Sequence, residues 1–166
     1  MTDLYLPVIG GGPSAPTIPM VKRWLALLEL VRKYSTRSHQ LTHDERLANA
    51  AMIHALDMAE RNYFNHVTPE GLTANERAKA AGFPLGLGKG NNIESIAAHD
   101  SGPTAKPEVV HAALMRSDAH RQHLVGDGWF GTLDRIGVGY AYNEASDHKY
   151  YYVVLIAKEG GPRDDQ

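Results

Sequence analysis

The chain has 166 residues, 43% of them apolar and 22% charged, with a formal net charge of −2. That length and mixture fit one globular domain burying roughly 70% of its unfolded surface, and the lack of any long basic run argues against a nucleic-acid partner. With no cysteine, a disulfide framework, a thiol nucleophile and a cysteine-based zinc site are excluded, and no run of about 18 apolar residues offers a transmembrane helix.

Residues 1–19 carry Pro7, Gly10, Gly11, Gly12, Pro13, Pro16 and Pro19, breaks that predict an extended arm. The start has no basic stretch leading into an apolar one, so as written it is not a signal peptide. Either the protein stays inside the cell or this is a processed form. From Val21 the pattern turns helical, with Val21, Trp24, Leu25, Leu28 and Val31 on one stripe that fades near residues 34–38. "THDERLANAAMIHALDMAERNYF" opens with Thr42 and Glu45 spaced as a capping box. Leu47, Ala50, Ala51, His54, Ala55 and Met58 then share a narrow, mostly alanine face, which requires close neighbours. Thr73 and Glu76 form a second capping box before "NERAKAAG", which Gly82 ends.

"FPLGLGKGNN" is glycine-rich but lacks the Lys-Ser/Thr ending of a phosphate-binding loop. "IESIAAH" reads as a strand, "KPEVVHAALMRS" as a helix with Pro107 in its first turn, and "DAHRQHLVG" as a further helical turn or two. "RIGVGYAYN" and "YYYVVLIAK" flank the polar turn "EASDHK" and predict an antiparallel hairpin with "IESIAAH" as third strand. Tyr140, Tyr142, Tyr150, Tyr151 and Tyr152 fall on alternating strand faces, one packed on helices, so they are read as core and not as a carbohydrate platform. The class is α+β. The tail "EGGPRDDQ" is expected to fray.

Nine histidines are present, so residue type alone selects none of them. "YFNH" ending at His66, "NNIES" with Glu94, "MRSDAHR" with His120, and "RIGVGYAY" are the stretches that require a joint explanation. With "DMAERNYFNHVTPEG", "ERAKAAGF" and "IESIAA", their order resembles the CAP superfamily (the SCP domain of cysteine-rich secretory, antigen 5 and plant pathogenesis-related proteins), and most of all its bacterial, cysteine-free branch. The likeness covers roughly residues 21–158. It implies a three-layer α-β-α sandwich with a small antiparallel sheet between helices, and a domain over 20–159 between the arm and the tail at 160–166.

The resemblance also implies an open cleft carrying two histidines and two acids. The histidines fall on His66 and His120, and the strand glutamate on Glu94. The second acid falls on Ser117, and the asparagine after the strand glutamate on Ser95. These two serines are left to touch a bound group through hydrogen bonds only. Ile93, Leu114 and Arg135 replace the family's glycine, tryptophan and glutamate. Two neutral imidazoles can hold Zn²⁺ weakly, with Glu94 as third ligand, as the acceptor that fixes a histidine tautomer, or as a base. "HRQH" offers a rival local pair, His120 with His123.

Three functions are compatible with this cleft. One is a binding module for a small molecule, lipid or protein partner, tuned by a divalent metal. Another is a metal-dependent hydrolase using His66, His120 and Glu94, although neither G-x-S-x-G nor H-E-x-x-H occurs. The last is a structural envelope or extracellular domain with a vestigial cleft. Relatives resembling this chain are mostly secreted, which implies an extracellular or envelope location.

Overall fold

A computed structural model of the chain describes residues 20–85 and 92–161. In chain order it contains α1 (Met20–Tyr34), β1 (Thr42–His43), α2 (Glu45–Arg61), α3 (Ala74–Ala80), β2 (Glu94–His99), α4 (Pro107–Met115), α5 (Asp118–Val125), a 3-10 turn at Gly128–Thr132, β3 (Arg135–Tyr142) and β4 (Tyr150–Ala157). The expected N-terminal arm, most of the glycine-rich loop and the end of the tail lie outside the described residues.

The hairpin forms as its β-branched and aromatic content predicts. β3 and β4 pair antiparallel with Val138 opposite Val154, and β2 joins on the far side of β4 with Glu94 opposite Leu155. A short fourth strand, β1, runs parallel to β3 and makes the sheet mixed, in the order β1-β3-β4-β2. This strand corrects the expected cap at Thr42. The Thr42 and Asp44 amides donate across to Asp134 O and Ile136 O, both at 2.9 Å. The cap of α2 is Asp44 instead, whose carboxylate accepts from the amides of Arg46 and Leu47. A carboxylate there also meets the positive end of the helix dipole.

Alternation along β4 sends Tyr150, Tyr152, Val154 and Ile156 to one face and Tyr151, Val153, Leu155 and Ala157 to the other. The first set packs with Leu27, Leu28 and Val31 of α1, Val110 and Leu114 of α4, and Leu124 of α5. The second packs with Leu47, Ala51, Ala55 and Met58 of α2 and Ala74 and Ala78 of α3. Helices on both faces of one sheet make a three-layer α-β-α sandwich. The strand tyrosines at 140 and 150–152 are buried in it.

The α1 stripe sits rotated from its expected position, with Leu25 43% exposed. Arg23 takes the inward place. Its guanidinium donates to Ala105 O at 3.0 Å and lies over the rings of Tyr140 and Tyr150 at 5.5 and 5.4 Å. Hydrogen bonding plus cation–π contact lets a charged side chain occupy a core-facing position that lies outside the expected apolar stripe.

Candidate functional site

α2 ends where Asn62 turns left-handed, at φ 54°, and donates its amide to Met58 O. Asparagine tolerates that conformation, so the chain leaves the helix sharply and carries Tyr63, Phe64, Asn65 and His66 along the end of the sandwich. The next turn is clamped from α2. Arg61 pairs with Asp57 on its own helix and with both carboxylate oxygens of Glu70. Its far end enters α3 through the full Thr73–Glu76 capping box.

Two buried side chains set the backbone of this segment from beneath. His54, on the alanine face of α2, donates from Nε2 to Asn65 O at 3.0 Å. Burial lowers its pKa below the ordinary imidazole value, so it is held neutral in that tautomer. Arg77 of α3 donates from Nη1 to His66 O at 2.7 Å and to Leu72 O at 2.9 Å.

Glu94, the first residue of β2, has no exposed side-chain surface. One oxygen accepts from His66 Nδ1 at 2.8 Å and the other from Arg77 Nη2 at 2.5 Å. The bond to Glu94 engages Nδ1 of His66 and leaves Nε2 as the ring nitrogen free to meet a ligand. The His66 ring is 38% exposed, so that nitrogen belongs to a solvent-accessible imidazole.

Beside it lies a cavity of about 280 Å³ lined by Phe64, Asn65, His66, Ile96 and His120. His120 comes from α5, in the other helical layer, and meets His66 past the edge strand β2. Burial, and then the neighbouring His66, lower the pKa of His120 and keep it neutral. Two residues far apart in sequence thus face one small space, with a phenyl ring and an isoleucine as apolar wall and an asparagine between.

The remaining expected site residues fall elsewhere. Ser95 points to the opposite face of β2, where its hydroxyl is hydrogen-bonded to His123 Nδ1 at 2.7 Å. Ser117 is the N-cap residue of α5 without a side-chain capping bond and does not line the cavity. His123 is buried against Phe130, so His120 and His123 diverge and do not form a local pair. Arg121 pairs with Asp118 on the exposed side of α5.

Of the roles open to Glu94, its hydrogen bonds suit that of the acceptor behind a histidine. Both its oxygens are engaged by cationic or N–H donors, which places it behind His66 as the carboxylate that fixes a tautomer. Among the described residues no group of three or more metal-ligating side chains converges. His66 and His120 are the two histidines on the cavity that could hold an ion. Arg77 is the residue that motif reading passed over. It lies in "ERAKAAGF", one of the stretches that carry the resemblance, where no site role was read for it.

The buried histidines also fix how stability responds to acid. The pKa of His123 is lowered to about 3, first by burial and then by Arg37, while burial lowers those of His54 and His111. Unfolded, each titrates near 6.5. Below about pH 6.5 the unfolded chain binds protons that the folded chain refuses, so stability falls with pH, for His123 down toward about 3. Above that window the contribution is complete. Urea unfolding between about pH 6 and 4 should show stability declining as pH falls, by up to ~1.4 kcal/mol per pH unit for His123, with His54 and His111 adding in the same direction. A flat profile would contradict the burial.

A family model described as CAP, the cysteine-rich secretory protein family, matches residues 31–156. No curated protein sequence matches the chain. Among solved structures, the chain is similar to an extracellular protein containing a SCP domain from Bacillus anthracis str. Ames, at 24% identity and a TM-score of 0.64, over 87% of this chain and 45% of that one. It thus spans less than half the length of the Bacillus protein. It is also similar to an outer surface protein from Borrelia burgdorferi, at 23% identity and a TM-score of 0.60, over 84% of this chain and 92% of that one. At these identities the likeness is one of fold.

Proposed function

The chain belongs to the CAP, or cysteine-rich secretory protein, family, and from that premise we propose that it is a binding module whose cleft holds a divalent metal, zinc by preference, between His66 and His120 and presents it to a small ligand. One observation carries the reading: the buried Glu94 carboxylate accepts a hydrogen bond from His66 Nδ1 and leaves Nε2 as the ring nitrogen not engaged by it, beside the cavity that His120 also lines. A carboxylate–histidine pair of this kind orients a ligating imidazole and raises its basicity, and borderline-soft Zn²⁺ accepts imidazole nitrogen readily. When bound, the ion would supply Lewis acidity and open coordination positions. The protein's part is to orient His66, to keep His120 neutral and to wall the site with Phe64 and Ile96.

The cavity of about 280 Å³ lies just below the range of ligand pockets, which run from about 300 to 1,000 Å³. That size supports a small molecule, or the end of a lipid chain, over a whole lipid. The extracellular and outer-surface descriptions of the two similar structures support a secreted or envelope location for this chain.

Calorimetric zinc titration near neutral pH tests the reading. Wild type should bind at micromolar concentrations, and His66→Ala/His120→Ala should lose that binding with its far-UV spectrum unchanged. Equal heats for the two proteins would overturn the reading.

A further inference from the structure

We propose that the cleft takes a short extended peptide as its ligand, added as a further strand along the free edge of β2. Among the described residues β2 ends the sheet, with β4 on one side and no strand on the other. Ile93 O accepts from Ile156 N at 2.9 Å, and the two residues are register partners, since Glu94 lies opposite Leu155. Antiparallel ladders alternate bonded and non-bonded pairs. Ser95, Ala97 and His99 therefore turn their backbone groups to β4, while Glu94, Ile96 and Ala98 turn theirs outward. Among the described residues no hydrogen bond joins those outward groups to another residue. Glu94 is 7% exposed although its side chain has no exposure, so the part that water reaches is main chain.

The outward edge opens on the cavity that Ile96 lines together with Phe64, Asn65, His66 and His120. The inference rests on the reading of that cavity as the binding site and names the ligand by its chemistry. N–H and C=O groups that recur at every second residue, about 7 Å apart, are complementary in partial charge to another polypeptide strand. A lipid chain would leave them unpaired, which is costly once water is excluded. A peptide residue paired opposite Ile96 sets its side chain on the same face as Ile96, against Phe64 and His66, and its neighbours turn toward the α5 layer that carries His120. The apolar wall selects an apolar residue at that place. The β2 edge of a second copy fits poorly, because walls from both layers flank the strand and each copy would drive its own Phe64 and His120 into the other's.

The test selects a phage-displayed library of random heptapeptides against the full chain and uses a recovered peptide, made synthetically, as the probe. In ¹H–¹⁵N spectra the amides of Ile96 and Ala98 should exchange with solvent quickly in the free protein and become protected when the peptide binds. Those of Ser95 and Ala97, bonded to β4, should be protected throughout. N-methylation along the peptide should weaken binding with a period of two residues, by roughly tenfold or more at each residue that bonds to β2. Ala98→Pro removes one outward donor, a change that an edge strand tolerates, and should bind the peptide roughly tenfold more weakly. The N-methyl series is read on wild type, so it stands even if the proline variant folds poorly.

Recovery of no binding peptide, or binding that leaves the Ile96 and Ala98 amides unprotected, would overturn the proposal. So would a dimer in size-exclusion chromatography with both amides protected before any peptide is added, because a second copy would then occupy the edge. Peptide binding with the expected protection but no zinc binding would sustain this inference and retire the metal reading alone. Zinc binding by a chain that takes no peptide would do the reverse.

Discussion

Replacing Gly137 or Gly139 by alanine should be among the most damaging single changes available to this chain. Both glycines lie on β3 beneath α2, and a methyl at either would overlap helix backbone. At 137 it meets Leu47 and Ala48, and at 139 it meets Ala51 and Met52. A side chain can rotate away from an added methyl, but a helix backbone seated on a sheet cannot. Relief would require shifting the whole of α2, together with the alanine face that packs on Tyr151, Val153 and Leu155. Overpacking typically costs 1–3 kcal/mol, and a clash with main chain belongs at or beyond the upper end, so we expect about 3 kcal/mol or more. For a domain of this size that lowers Tm by roughly 10 °C, a large part of ordinary marginal stability. Gly161→Ala is the control, since only Lys158 O lies near the added methyl, at 3.8 Å, and its melting point should stay close to wild type. Melting curves of Gly137→Ala and Gly139→Ala that overlay wild type would refute the close approach.

The same contact shows how far the sequence could be read. The alanines at 50, 51 and 55 announced that something must come very close to α2, and the glycines of "RIGVGYAY" are that partner. Neither pattern alone identifies the other, because periodicity describes one element at a time. Errors arose where a local rule met a tertiary competitor. Thr42 has the spacing of a capping box, but its amide belongs to the sheet, and Asp44 supplies the stronger cap. Leu25 has the helical period, but Arg23 found carbonyl and aromatic partners that made burying it favourable.

The candidate site divides along similar lines. His66, Glu94 and His120 were legible through motif order, and the structure brings His66 onto Glu94 and places His120 on the same cavity. Their division of labour was not legible. Whether a glutamate ligates or orients depends on what occupies its second oxygen, and that occupant lies 17 residues back along the chain. No helical or strand period links a guanidinium on α3 to a carboxylate on β2 and a carbonyl in the turn before it. Ser95 shows the opposite limit. Adjacent to Glu94 in sequence, it faces the other layer because successive strand residues alternate.

Arg77 and Glu94 should also dominate the energetics of this end of the sandwich, and unequally. Removing one member of a buried ion pair typically costs about 3–5 kcal/mol, because the survivor is left uncompensated. Here the survivors differ. After Glu94→Leu the guanidinium still donates to His66 O and Leu72 O, so much of its hydrogen bonding remains. After Arg77→Met the carboxyl keeps the His66 bond and a longer approach from His54 Nε2 at 4.0 Å, within a side chain that has no exposure. Arg77→Met should therefore be the more destabilising of the two, near the top of that range, and Glu94→Leu nearer the bottom. In the double variant neither charge is stranded, and two apolar side chains of similar volume fill the space. Its loss should fall short of the sum of the single losses by a coupling energy at the high end of the usual 0.5–3 kcal/mol. Urea unfolding of the four proteins measures each corner of the cycle, with unchanged m-values as the check that the transitions are comparable. Strict additivity would mean that the two groups are solvated independently, and the account of Arg77 and Glu94 as a buried, mutually compensating pair would fail with it.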